Sequence, residues 1–185
     1  MPIRPFLGLV PLGHVDLQIL QHLCTAIADF FPLPAQILPA KPLPPQTYHL
    51  QRNQYHSTQL LEYLLNEDHD EAFRVLGITA LDLYIPIFTF VFGEAQLDGK
   101  AAIISTFRPG GGADNIRPPQ PIFLERLIKL SLHELGHTFN LPHCRREGCL
   151  MGFSANLEIL DQKHRELCKY CRILLVDYFN SVSDL

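Results

Sequence analysis

The sequence predicts an α/β fold, with an upper lobe of alternating strands and helices and a small lower lobe. Three observations lead there. Short apolar runs alternate with segments of helical periodicity, a strand–turn–strand pattern precedes a long helix, and the remainder reads as helix interrupted by cysteines. At 185 residues the chain is one domain, or one domain split into two lobes around a cleft, and 47% hydrophobic residues can supply a real core. The expected division is a single domain over 1–185, with about 1–140 as the upper lobe and about 141–185 as the lower.

Taken in order, Ile3–Val10 reads as a buried first strand. From Asp16 to Phe31 apolar residues recur at helical spacing, with Asp16 placed as the N-cap and Cys24 as a core residue. Ala35–Pro39 predicts a short strand before the proline-rich connector at Pro42, Pro44 and Pro45. Ser57 opens a second helix through Leu65, and Glu71–Leu76 predicts another helical turn. Ala80–Ile85, Phe88–Phe92 and Ala101–Thr106 read as strands, the last two joined into a hairpin by the Asp98-Gly99 turn. The Gly110-Gly111-Gly112 loop lacks the lysine and Ser/Thr of a phosphate-binding loop and leads into a helix from about Pro121 to Phe139. Leu157–Leu167 and Tyr170–Asn180 complete the set.

A formal net charge of −4 argues against a nucleic-acid binder. No apolar run approaches the roughly 20 residues of a membrane-spanning helix. Met1 to Gly13 lacks the basic, apolar and small-residue regions of a secretory signal, so a cytoplasmic protein is expected, and a monomer.

The chemistry concentrates in His133-Glu134-Leu135-Gly136-His137 and in His143. Helical residues four apart lie one turn above each other, so His133 and His137 can address one metal ion. Glu134 projects about 100° further round, beside the metal's open position, as a base for bound water should. The five-residue pattern alone arises by chance in a few per cent of chains of this length. Its continuation sets it apart. Asn140 stands where the helix should stop and tolerates the left-handed conformation that reverses the chain, Pro142 prevents resumption, and His143 follows as a third nitrogen ligand. Three histidines and a water describe a catalytic zinc with one open position.

Cys144 and Cys149, then the Cys168-x-x-Cys171 pair, form two closely spaced thiol pairs, the pattern of a structural tetrahedral zinc. Disulfides and unconnected core cysteines are the alternatives; a reducing compartment disfavours the first. His143 and Cys144 are neighbours, and in an extended segment their side chains point to opposite sides. One can therefore serve the catalytic metal and the other the second, so that the cysteine site staples His143 in place.

Residues 133–171 resemble the archaemetzincins, a branch of the metzincin zinc peptidases. The family pattern H-E-x-x-H-x-x-G-x-x-H-C, then C-x-M, then C-x-x-C, is matched by His133, Glu134, His137, His143, Cys144, Cys149, Met151, Cys168 and Cys171. Arg74-Val-Leu-Gly-Ile-Thr and Phe90-Val-Phe-Gly-Glu-Ala look like family segments too. The resemblance implies a twisted, mostly parallel sheet with backing helices above a cleft and a smaller lobe below. It makes Met151 the Met-turn residue beneath the histidines, and the strand near Phe88–Phe92 the antiparallel edge where extended substrate pairs. One position departs, since Asn140 stands where the family usually has Gly. The reading is a zinc metallopeptidase with two zinc ions, acting on a peptide or protein. Its rivals are a zinc-stabilised binding module with a vestigial site and a zinc hydrolase of small amides.

Overall fold

The computed structural model describes residues 5–69 and 72–182. The first strand, β1, runs Leu7–Leu12; Ile3 and Arg4 of the expected strand lie outside the described residues. Helix α1 (Leu17–Phe30) starts where the Asp16 carboxylate accepts from the Gln18 N–H. Strand β2 (Ala35–Ile37) follows, then a single 3₁₀ turn over Pro45–Thr47 in the proline-rich connector. Strands β3 (Tyr48–His49) and β4 (Gln54–His56) lead into α2 (Ser57–Asn66).

The next element corrects the sequence reading. Instead of a helical turn over Glu71–Leu76, Arg74–Thr79 forms β5, paired with β1 on one side. Its run Val75-Leu76-Gly77-Ile78 is buried on both faces, so it lacks the polar alternation that signals a strand. Glu71 lies outside the described residues. Ala80–Ile85 shrinks to β6 (Leu83–Tyr84), which pairs with β4 in a small second sheet of order β3-β4-β6. Strand β7 is Gly93–Ala95, and β8 is Ala101–Ser105.

The main sheet runs β2-β1-β5-β8-β7, parallel except for β7. Alternation along its strands feeds two cores. Leu7, Leu9, Leu76, Ile78, Ala102 and Ile104 pack with α1 and the long helix α3 (Gln120–Thr138), while Val10, Leu12, Val75 and Ile103 pack with Leu60, Leu61 and Leu64 of α2. Helices therefore cover both faces, the α/β arrangement that the sequence predicts. Below α3 lie α4 (Leu157–Gln162) and α5 (Lys169–Ser181). Leu150, Met151, Leu160, Leu167 and Leu175 join the same core as α1 and α3. Helix α4 stops short of the expected Leu167, because Gly148 O accepts the His164 N–H and the Leu150 N–H donates to Glu166 O, tying that segment to the loop above.

A second correction concerns the sheet edge. Phe88–Phe92 is not the edge strand; β7 is, in register Gly93–Ile104, Glu94–Ile103 and Ala95–Ala102. The carbonyls of Phe88 and Thr89 are taken by the Arg52 guanidinium, and Thr89 O also by the Gln54 amide. Side chains thus occupy acceptors that a strand would offer to its neighbour, and the segment becomes the upper rim of a cleft. Arg108 packs over the Phe90 ring at 3.8 Å and pairs with Asp82 at 2.7 Å, bracing that rim from behind.

Candidate metal centre and cleft

Helix α3 begins behind Pro118-Pro119 and carries Pro121 in its first turn, where a fixed φ suits the helix and the missing N–H is no loss, and from Leu127 to Gly136 every residue is buried. Its end is a complete Schellman motif. The Leu141 N–H donates to Gly136 O at 3.1 Å, the Asn140 N–H to His137 O at 3.0 Å, and Asn140 takes φ +64°. Two long-range donors finish the cap, Arg74 Nε to Thr138 O at 3.2 Å and the Asp98 N–H to His137 O at 2.9 Å. The tip of the β7–β8 hairpin therefore holds the end of this helix.

That stop also sets the site. It turns Leu141 O back toward His137, which donates through Nδ1 at 2.7 Å, and His133 Nδ1 donates to Leu150 O at 2.9 Å. A carbonyl can only accept, so both rings carry their proton on Nδ1 and turn a bare Nε2 inward. Those two Nε2 atoms stand 3.1 Å apart. The His143 ring lies 5.3 Å from the His133 ring and 4.8 Å from the His137 ring, centroid to centroid. One nitrogen from each of the three falls within 4.8 Å of the others. Burial holds all three imidazoles below their ordinary range, and the Lys163 charge adds to this, so they are neutral.

Glu134 lies deep beside them. Burial pushes its carboxyl up to about 8, with Glu94 adding to the shift and Lys163 opposing it. Its position is set by a missing side chain: a Cβ on Gly93 would stand 2.6 Å from Ile103 O and 2.8 Å from Glu134 Cγ. Gly93→Ala must push β7 away or displace the carboxylate. A misplacement of this size costs about a hundredfold in catalysis. Peptide turnover should fall to that degree with metal content unchanged, and undiminished turnover would refute the positional argument.

Met151 is fully buried under the helix. A Cβ on Gly136 would meet its Sδ at 2.7 Å, so this glycine admits the thioether against the helix backbone between the two histidines. The Met151 carbonyl accepts from the Cys144 N–H at 2.8 Å.

The four cysteines gather on the far side of the same loop. Their Sγ atoms lie within 4.8 Å of one another, with Cys144–Cys168 and Cys149–Cys171 each at 3.8 Å, and none is disulfide-bonded. The Cys168 N–H approaches Cys149 Sγ and the Arg146 N–H approaches Cys144 Sγ, both at 3.4 Å. Cys24 stands apart as a half-buried free thiol packed against the core. Among the described residues, His14, His22, His49, His56, His69 and His164 join neither group.

The histidines line a cleft of about 390 Å³. Its upper wall is Phe88–Ala95, including the open side of β7, and its lower wall is Phe153, Ser154, Ala155 and Lys163. Sequence reasoning missed Lys163, Glu94 and Gly93, whose relation to the site depends on strand pairing and loop packing. Gly93 and Glu94 did stand in a recognised family segment, but without a role.

Two imidazoles and a carboxyl on one helix, facing a third imidazole beside an open sheet edge, are the equipment of a zinc metallopeptidase. Comparison with known proteins agrees and is more specific. The model of peptidase family M54 matches residues 31–176. An archaemetzincin of Methanocaldococcus jannaschii is 35% identical over 167 residues, 90% of each chain. The crystal structure of the Methanopyrus kandleri archaemetzincin superimposes with a TM-score of 0.84 at 31% identity, over 95% of this chain and 96% of that one. A zinc-dependent peptidase of Methanocorpusculum labreanum gives a TM-score of 0.80 at 26% identity, over 91% and 99%. The chain belongs to peptidase family M54.

Proposed function

We propose that the chain hydrolyses peptide bonds with a zinc ion held by His133, His137 and His143, that Glu134 is the general base, and that Cys144, Cys149, Cys168 and Cys171 hold a second, structural zinc. The observation that carries this is the approach of two bare Nε2 atoms to 3.1 Å. Tetrahedral ligands at 2.0–2.1 Å from zinc stand about 3.3 Å apart, and without a cation two lone pairs have no reason to meet there. The cysteine spacing gives the same test. Thiolates at 2.3 Å from zinc stand about 3.8 Å apart, the observed separation, whereas a disulfide needs about 2.05 Å.

A zinc ion at the histidines supplies Lewis acidity and a water of lowered pKa. The remaining work belongs to the chain. Glu134 takes up the proton of the attacking water and returns it to the leaving amine nitrogen. The free edge of β7 offers backbone groups to an extended peptide, which aligns its scissile bond along the cleft. Leu150 O and Leu141 O hold two ligand rings in one tautomer and one orientation. Met151 packs under both as a floor.

The same reading treats the chain as one catalytic domain, with about 1–140 above the cleft and about 141–185 below. It takes the chain as a monomer, and as cytoplasmic because four thiols gathered as metal ligands rather than paired as disulfides suit a reducing setting. Among the described residues no helix is long and apolar enough to cross a membrane. The test is a metal analysis per chain together with a peptide-library digest read by mass spectrometry. Two zinc ions and cleavage at defined positions are expected. Full zinc occupancy without cleavage of peptides would reject the reading.

A further inference from the structure

We propose that Lys163 and Ser154 form an anion subsite on the lower wall of the cleft that recognises a carboxylate of the peptide. The proposal rests on the peptidase reading and adds what the substrate must carry. Lys163 is 7% exposed. Its Nζ donates to Leu150 O at 3.1 Å and to Gly152 O at 2.6 Å, which uses two of three N–H groups. Among the described residues no carboxylate lies within ion-pair distance of it, and the Glu134 carboxyl, further off, is the main opposite charge that acts on it. Lys129, the other fully buried lysine among the described residues, has a carboxylate within ion-pair distance, as do the partly buried Arg126 and Arg108. Lys129 lies 3.7 Å from Glu125, Arg126 2.6 Å from Asp161 and Arg108 2.7 Å from Asp82. A buried charge with carbonyl partners alone is costly, and the cost persists where a ligand completes the pair.

The second observation is independent of charge. Ser154 Oγ is buried without any hydrogen-bond partner and lines the same wall. The wall thus holds an ammonium with one uncommitted N–H and a hydroxyl without a partner, while Glu94 on β7 and Glu134 line the same cleft. A peptide crossing this field places its negative group below and its neutral backbone along β7. Peptides carry two such groups, the C-terminal carboxylate and the side chains of Asp and Glu, and both match a charged donor beside a hydroxyl.

The zinc-loaded chain is assayed on a hexapeptide with a free C-terminus, on its amide, and on the amide carrying Glu or Gln at each position in turn. The carboxylate should raise kcat/KM at least about tenfold, chiefly through KM, as expected for one charge-assisted hydrogen bond. The arm that responds identifies the source. Lys163→Gln should abolish the preference and Lys163→Arg should keep it. Ser154→Ala, which removes no bond within the fold, should weaken it severalfold at unchanged thermal stability. Calorimetry of the acid and amide peptides on the same variants reads binding without turnover. Equal use of acid and amide by the wild type overturns the proposal. So does a Lys163→Gln chain that loses both alike, which makes Lys163 a brace only, or one that keeps the preference, which assigns the carboxylate to the metal. Absent turnover with Lys163-dependent binding of the acid peptide sinks the peptidase reading and leaves the subsite standing.

Discussion

Glu134→Gln is expected to abolish peptide cleavage while the zinc content of the two proposed sites stays unchanged. The carboxyl is buried, lies beside the three imidazoles and belongs to neither ligand group, so removing its basicity leaves the metal donors intact. Glutamine has the same shape and keeps the contact with Gly93. A positioned general base contributes about 10²–10⁴-fold, and the drop in kcat should reach at least that range. Stability should not suffer, because glutamine fills the same volume and a neutral amide costs less to bury than an ionised carboxylate. Steady-state kinetics on one cleaved peptide, zinc content and a melting curve check the three parts separately. A variant that turns over at the wild-type rate rejects Glu134 as the base.

The second large effect is expected at the cysteines. Cys168→Ser or Cys171→Ser should lose one zinc per chain and lower the melting temperature steeply, since a structural zinc contributes folding free energy of several kcal/mol or more. The further consequence concerns the other metal. The loop from Leu141 to Gly152 contains no helix or strand, yet it supplies His143, the carbonyls that orient His133 and His137, and Met151. It is held by the helix cap at one end, by the bond from Cys144 to Met151 and by two thiols of the cluster. Releasing those thiols frees the residue next to His143. Affinity for the catalytic zinc should fall at least about tenfold, within the 10–100-fold range for lost supports of metal ligands. Competition with a chelator measures it, and an unchanged affinity in a folded variant would dismiss the coupling.

Both predictions concern groups that were legible in sequence, and the reason is locality. The spacing of His133, Glu134 and His137 is a property of one helix. The stop at Asn140 is a property of the next three residues, and its φ of +64° is the left-handed turn that such a stop requires. Gly is common there because it lacks a Cβ, and Asn serves because its short polar side chain tolerates that conformation. The thiol pairs are likewise read from spacing, and their convergence matches what two close pairs can do.

Elements whose character depends on distant partners were misread. The segment Arg74–Thr79 is a strand because β1 and β8 flank it, and burial on both faces erases the alternation that would have shown this. Phe88–Phe92 has the composition of a strand, but Arg52 and Gln54 occupy its carbonyls, so the open edge moves to Gly93–Ala95. Lys163 had no signal at all, since its ammonium is placed by the carbonyls of a loop more than ten residues earlier.

The sequence by itself determined which atoms are available to the two proposed metal sites and where the helix that carries most of the first set must end. Those depend on side-chain chemistry and on helix geometry repeating every few residues. Only the tertiary structure decided which edge of the sheet faces the cleft, which glycine makes room for Glu134, and which cation on the lower wall lies, among the described residues, without a carboxylate in contact. Each of those results from contacts between segments far apart in the chain, where pairing and burial override local preference.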